Sequence, residues 1–102
     1  MIHVLAVITA KPGQRGTILE AFRANVPAVR AEAGCIEYGA GTDAEGAGAI
    51  QTAYGPDTFV VIEKWESLDA LKAHAAAPHM AAYAAKTREH IASRVIHVLS
   101  PV

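Results

Sequence analysis

Runs of β-branched and aromatic residues alternate along this chain with stretches in which apolar residues have helical spacing, and each change of pattern marks a boundary between predicted elements. Segments rich in β-branched and aromatic residues predict strands over residues 2–10, 35–39, 59–65 and 95–99. Apolar residues spaced three and four apart predict helices over residues 14–33, 67–76 and 78–93. The resulting order, β-α-β-β-α-β, predicts an α+β, ferredoxin-like fold with a four-stranded antiparallel sheet and helices on one face.

The first predicted strand is apolar on both of its faces. His3, Leu5 and Val7 alternate with a second set of residues that is also mainly apolar. A strand of this kind is usually buried on both sides, and the predicted helices can cover only one face of the sheet. We therefore predict that a second copy of the sheet covers the other face, which would make the protein a homodimer.

The predicted connection over residues 41–56 is longer than two paired strands need, and it is rich in Gly and Ala. Long connections of this kind often carry functional residues. Tyr54 gives the segment an aromatic side chain that could lie over a pocket. We predict that this loop covers the entrance of a site or reaches the partner subunit.

Composition narrows the possible partners. The chain has 102 residues, which predicts one domain over 1–102, and 52% of them are hydrophobic. The formal net charge is −1 and no basic cluster is present, which argues against nucleic acid or an anionic membrane as a partner. The single cysteine, Cys35, cannot form an internal disulfide, and residues 1–10 are too short to span a membrane. These features predict a cytoplasmic protein.

Candidate chemistry is concentrated in residues 59–83. The third strand carries Glu63 and Trp65, and the two helices after it carry His74, His79 and Tyr83. A strand end followed by two helices can form a pocket that is partly apolar and partly polar. The two histidines are five residues apart with a proline between them, so they do not form the one-face pair that binds zinc. No metal site is expected.

The chain resembles the antibiotic biosynthesis monooxygenase superfamily of dimeric α/β-barrel proteins, and within it the bacterial quinol monooxygenase branch. The resemblance covers nearly the full length. The motifs that carry it are Lys11-Pro12-Gly13-Gln14, Glu32-Ala33-Gly34-Cys35 with Tyr38, Gly55-Pro56-Asp57, Glu63-Lys64-Trp65-Glu66-Ser67, and Ala73-His74 followed by Pro78-His79-Met80 and Tyr83.

The resemblance implies an enzyme that uses O₂ to oxidise a hydroquinone, or a similar electron-rich aromatic compound, to a quinone without metal, flavin or haem. Haem-degrading relatives carry an asparagine on the first strand. Residues 2–10 contain none here, and Asn25 falls on the predicted first helix. Two other functions stay open: isomerisation or cleavage of a small metabolite on the same scaffold, and a non-catalytic dimer that binds a small aromatic ligand.

The candidate catalytic residues are His74, His79 and Trp65. Either histidine could take the quinol proton, since an imidazole near neutrality is the usual base. His74 could instead be a half-buried residue satisfied by a carbonyl, and His79 an exposed helix-start residue. Trp65 offers a flat surface on which a ring could stack, although a purely structural tryptophan is common. The candidate substrate-binding residues are Tyr38, Phe59, Glu63, Met80 and Tyr83. An ionised Glu63 inside a strand needs a partner, and it could orient a histidine.

Overall fold

A computed structural model describes residues 1–102 of the chain. Its elements are β1 (Ile2–Ala10), α1 (Arg15–Arg30), β2 (Cys35–Gly41), β3 (Thr58–Trp65), α2 (Leu68–Ala75), α3 (Pro78–Thr87) and β4 (Ile91–Leu99), with short 3₁₀ turns at Gly48–Ile50 and Arg88–His90. The strands form one antiparallel sheet in the order β2-β3-β1-β4. The predicted ferredoxin-like fold is confirmed. No helix is long and apolar enough to cross a membrane.

The two faces of the sheet have different surroundings. Alternate residues of β1 and β3 point toward the helices and form the core with residues of α1, because side chains along a strand alternate between faces. The opposite face is apolar but uncovered within one chain: Leu5 is 37% exposed, Ile62 42% and Val95 50%. These residues are neighbours across the strands, since Leu5 pairs with Ile62 and Val7 pairs with Val95.

The end of the last helix differs from the prediction. The sequence predicts a helix to residue 93 and a strand from residue 95, but α3 ends at Thr87 and β4 begins at Ile91. Ile91 pairs with Ala10, and the Lys11 amide donates to the carbonyl of His90 at 2.9 Å. Pairing with β1 therefore extends the strand toward the helix, and these sheet bonds outweigh the local helical preference of this segment.

The first helix and the second strand also differ slightly from their predicted bounds. Helix α1 ends at Arg30, so Glu32 lies in the turn before β2 and not on the helix. Gly34 in this turn has φ +83°, which favours glycine. Strand β2 continues to Gly41 because it pairs with β3 as far as Val60. Helix α2 begins as predicted: the Ser67 hydroxyl accepts a hydrogen bond from the amide of Ala70 at 3.1 Å.

Candidate active site

A cavity of about 700 Å³ lies between the helix-facing side of the sheet and helices α2 and α3. Its walls are mainly apolar, with β1 and β4 on one side and α3 on the other. Predicted site residues from β2, β3, α2 and α3 line it: Tyr38, Glu63, His74, Met80 and Tyr83. A cavity of this size with a few polar groups among apolar side chains is typical of a small-molecule site.

His74 is the imidazole that reaches this cavity. It lies in the last turn of α2 and is only 6% exposed. Its Nδ1 is 2.7 Å from Oε2 of Glu32, and its Nε2 is 4.0 Å from Oε1 of Glu63. One ring nitrogen is therefore held by a short bond to Glu32, while the other faces the side of the cavity where Glu63 lies.

Glu63 has its partners on the same strand and on α2. The indole Nε1–H of Trp65 donates to Oε1 of Glu63 at 2.9 Å, which is possible because the two residues share one face of β3. Burial raises the pKa of Glu63, while the Trp65 hydrogen bond and the nearby His74 act in the opposite direction and Glu32 adds to the rise. A raised pKa increases the fraction of the neutral carboxyl group beside His74.

Trp65 and Phe59 lie behind the cavity rather than on its wall. Trp65 is 0% exposed and Phe59 is 1% exposed. The indole of Trp65 packs against His74, with ring centroids 4.6 Å apart, so its flat surface is already occupied by the imidazole. In the single chain, Trp65 therefore supports His74 and Glu63, and Phe59 fills the core beside Phe22.

Glu32 is the site residue that sequence reasoning missed. Its carboxylate bridges the two predicted histidines: Oε2 contacts Nδ1 of His74 at 2.7 Å, and Oε1 contacts Nε2 of His79 at 3.0 Å. His79 Nδ1 in turn lies 3.2 Å from Oδ1 of Asn25 on α1. Glu32 stands in a motif of the family resemblance, but its predicted place on a helix gave no reason to connect it with residues far along the chain.

Two tyrosines contribute hydroxyl groups. Tyr38 stacks on Phe22, with centroids 5.4 Å apart, and its edge meets His74 at 5.6 Å. Burial raises the pKa of Tyr38 well above its usual value. Burial also raises the pKa of Tyr83, with Arg94 opposing the rise. Both phenols therefore stay protonated near neutrality and can donate hydrogen bonds to a ligand.

The other end of the cavity is formed by α3 and the start of β4, where Thr87, Arg88, Ser93 and Arg94 are the polar residues. Both arginines are exposed. Because Arg94 pairs with Ile8, and Glu63 with Val4, the two ends are about 13 Å apart along β1 at 3.3 Å per residue. One end of the cavity therefore carries Glu63 and His74, and the other end carries Arg88 and Arg94.

The long loop contributes no residue to the cavity wall. Asp43 fastens the loop to itself: its Oδ1 accepts from the amide of Tyr54 at 3.0 Å, and its Oδ2 accepts from the amide of Gly55 at 2.8 Å. Tyr54 is exposed. The predicted loop therefore does not cover this cavity within one chain. No group of three or more His, Cys, Asp or Glu side chains is arranged to hold a metal ion.

Comparisons with known proteins agree with this architecture. The family model described as antibiotic biosynthesis monooxygenase matches residues 1–86. A relative in Escherichia coli named "Probable quinol monooxygenase YgiN" is 38% identical over 103 residues, covering 99% of this chain and 98% of the relative. The solved structure of PA3566 from Pseudomonas aeruginosa matches with a TM-score of 0.82 and 27% identity, covering 99% of this chain and 93% of that one. The solved structure of Rv0793 from Mycobacterium tuberculosis matches with a TM-score of 0.81 and 26% identity, covering 99% of this chain and 94% of that one.

Proposed function

Because the chain belongs to the antibiotic biosynthesis monooxygenase family, we propose that it oxidises a hydroquinone, or a similar electron-rich aromatic compound, with O₂ to a quinone and without a cofactor. The family and the similarity to a protein named as a quinol monooxygenase support the monooxygenase reaction. The mainly apolar cavity of about 700 Å³ supports a flat aromatic substrate.

The observation that carries the proposal is His74, with one ring nitrogen held by Glu32 and the other on the cavity side. We assign His74 as the base that takes a hydroxyl proton from the hydroquinone at Nε2. The resulting quinolate is electron-rich enough to pass two electrons to O₂. The two hydroquinone protons go with them, so that hydrogen peroxide leaves as the quinone forms, and the protein needs only to remove the proton, hold the ring and exclude water. The phenols of Tyr38 and Tyr83 can donate hydrogen bonds to the substrate oxygens.

We also propose that two copies pack through their open sheet faces. The uncovered face is a mainly apolar surface built by the three strands β3, β1 and β4, and a patch of this kind usually marks an interface. Its apolar members are Leu5, Val7, Val60, Ile62, Val95 and Leu99, and the polar residues of the same face are His3, Lys64 and His97. Light scattering should then give a dimer, and a stable folded monomer near 10.7 kDa would contradict this part of the proposal.

The test is oxygen consumption with reduced menadione, using protein shown by elemental analysis and absorption spectroscopy to be free of metal and flavin. The parent protein should accelerate consumption above the rate of uncatalysed autoxidation. His74→Ala should lower kcat by about 10²–10⁴-fold, the range for a lost general base. His90→Ala is the matched control, because His90 lies outside the cavity and its imidazole pairs with Glu89, at 3.6 Å, and not with a site residue.

The outcomes separate the alternatives. A parent protein that binds menadione but consumes no oxygen would favour the non-catalytic ligand-binding function. Turnover that is unchanged in a folded His74→Ala variant would show that His74 is not the base. Loss of turnover in His79→Ala alone would move the base to the second imidazole.

A further inference from the structure

We propose that Glu32 is a positioning residue that sets the tautomer of His74, and that His79 and Asn25 hold Glu32 in place for this purpose. The inference rests on the proposed function, because it explains how His74 keeps Nε2 available as a base. Glu32 does not itself line the cavity; it contacts His74, which does. It would act only through the imidazole.

The first step concerns the short contact between Glu32 and His74. An ionised carboxylate can only accept hydrogen bonds, so at 2.7 Å the Nδ1 of His74 has to carry the hydrogen. A neutral imidazole has one N–H and one lone pair. With the hydrogen on Nδ1, the lone pair of His74 is on Nε2, which is the nitrogen on the cavity side. The carboxylate thus selects the tautomer that can remove a substrate proton.

The second step concerns the orientation of Asn25. Its Nδ2 lies 3.3 Å from the sulfur of Met80, and sulfur can accept a hydrogen bond but a thioether cannot donate one. This contact places the amide nitrogen toward Met80 and the amide oxygen toward His79. Nδ1 of His79, 3.2 Å from that oxygen, therefore has to donate.

The third step follows for the other nitrogen of His79. Since Nδ1 carries a hydrogen, Nε2 of a neutral His79 would present a lone pair to Oε1 of Glu32 at 3.0 Å. Two lone pairs at that distance repel, so a proton lies in this contact, on Nε2 of His79 or on Oε1 of Glu32. In either case Oε2 of Glu32 is left as an acceptor for Nδ1 of His74. A shared proton of this kind makes a strong, directional bond. It fixes the carboxyl group of Glu32, and with it the oxygen that faces His74.

The arrangement links three helical segments through one side chain. Asn25 belongs to α1, His74 to α2 and His79 to α3, while Glu32 lies in the turn before β2. An amide in Glu32→Gln can keep this arrangement, because its oxygen can accept from Nδ1 of His74 while its nitrogen donates to Nε2 of His79. In Glu32→Leu neither contact is possible. Nδ1 of His74 then loses its acceptor, and the hydrogen is free to move to Nε2, where it blocks the base.

The direct test is the tautomer of His74 in the ligand-free protein, measured from ¹⁵N shifts and two-bond couplings of the histidine rings. The parent should show the Nδ1–H form of neutral His74. Glu32→Leu should show a substantial population of the Nε2–H form, while Glu32→Gln and the control variant Glu37→Leu should keep the parent pattern. Glu37 is a matched control, because it is an exposed glutamate paired with Lys64 on the nearby strand.

Activity provides the second readout. Glu32→Leu should lower kcat with reduced menadione by at least about 100-fold, while KM stays within about threefold, and Glu32→Gln should keep most of the parent kcat. A mis-set histidine tautomer lowers kcat by about 10⁴-fold in a serine protease triad, which sets the upper range. Glu32→Ala removes the same acceptor with a smaller side chain. It gives the same two readouts if Glu32→Leu fails to fold.

The outcomes distinguish this inference from the proposed function. An Nδ1–H tautomer that persists in folded Glu32→Leu, or in Glu32→Ala when Glu32→Leu does not fold, overturns the positioning role, whatever the activity. A parent protein with the expected tautomers but no oxygen consumption contradicts the proposed function and leaves the tautomer assignment standing. His79→Ala that removes as much activity as His74→Ala, with the His74 tautomer unchanged, would make His79 a catalytic residue and overturn its assignment here.

Discussion

Gly34 is the position where helix α2 comes closest to the turn that carries Glu32. A Cβ atom built on Gly34 would lie 2.6 Å from Cβ of Ala70, and the backbone of Gly34 has φ +83°. Gly13 has nearly the same conformation, φ +77°, but its Cβ would meet nothing within 4 Å. The two glycines therefore separate the effect of backbone conformation from that of the close approach.

The expected losses of stability come from two effects, the left-handed backbone conformation of both glycines and the close contact with Ala70 at Gly34 alone. Placing a residue with a Cβ in the left-handed region destabilises the fold by about 1–2 kcal/mol, and this applies to both Gly13→Ala and Gly34→Ala. The collision with Ala70 adds about 1–3 kcal/mol, typical of an overpacked core position, at Gly34 alone. Gly34→Ala should therefore lower the free energy of unfolding by about 2–5 kcal/mol. At about 4–8 °C per kcal/mol for a small domain, the two variants should differ clearly in Tm.

Urea unfolding followed by circular dichroism provides the measurement, with Ala70→Gly completing a double-mutant cycle. Ala70→Gly alone should destabilise by about 1 kcal/mol, the usual effect of glycine inside a helix. Combined with Gly34→Ala it should recover the collision energy, which gives a favourable coupling of about 1–3 kcal/mol. A coupling near zero, or equal losses in Gly34→Ala and Gly13→Ala, would refute the close-approach explanation.

The same cycle has a functional consequence. His74 is one helical turn beyond Ala70, so a displaced α2 would carry the imidazole away from Glu32. We expect kcat to fall in Gly34→Ala and to return in the double variant, while Gly13→Ala keeps the parent kcat. Unchanged kcat in a measurably destabilised Gly34→Ala would show that the collision is relieved without moving His74.

Three further predictions concern charge. Because its pKa is raised, Glu63 stabilises the fold at low pH, and this stabilisation is lost as the pH rises through the raised pKa. Glu63→Gln should therefore raise Tm at pH 8 and give little gain near pH 4. A gain in Tm that does not depend on pH would contradict the raised pKa. Backbone hydrogen bonds from Tyr54 and Gly55 lower the pKa of Asp43, so the carboxylate stabilises this loop at neutrality and the stabilisation is lost as the pH falls through the lowered pKa. In Asp43→Ala, hydrogen exchange of the Tyr54 and Gly55 amides should therefore be faster than in the parent protein at pH 7, and the difference should shrink in acid. Because Arg88 and Arg94 lie at one end of the cavity, a hydroquinone with a carboxylate substituent should have a lower KM than its neutral analogue, and Arg94→Gln should reduce that difference. Equal KM values in the parent protein would show that these arginines do not bind the carboxylate.

The elements of the fold could be predicted because their signals are local. Runs rich in β-branched and aromatic residues predict β1 and β3, and the cap at Ser67 and the proline at Pro78 predict the starts of α2 and α3 within a residue. The shared face of Glu63 and Trp65 follows from the alternation of side chains along a strand. The end of α3 could not be predicted, because Ile91 joins the strand through its pairing with Ala10, a residue at the opposite end of the sequence.

The candidate site was predictable only in part, for the same reason. His74 and Tyr38 could be proposed from local position and family resemblance, and both line the cavity. Glu32 contacts His74 and His79, which lie 42 and 47 positions further along the chain, and the spacing of apolar residues gives no indication of such contacts. The burial of Trp65 also depends on tertiary packing, since the imidazole of His74 packs against its ring.

The pairing of β1 with both β3 and β4 determines when the site can form during synthesis. Strand β1 is made first and lies between β3 and the last strand, so one of its edges stays open until β4 has been made. Residues of β4, including Arg94 and Ile96, form part of the cavity wall. Contacts this distant in sequence slow folding and leave the nascent chain exposed to wrong strand pairing. The cavity is therefore among the last features to be completed, and a chain truncated before β4 would have no enclosed site.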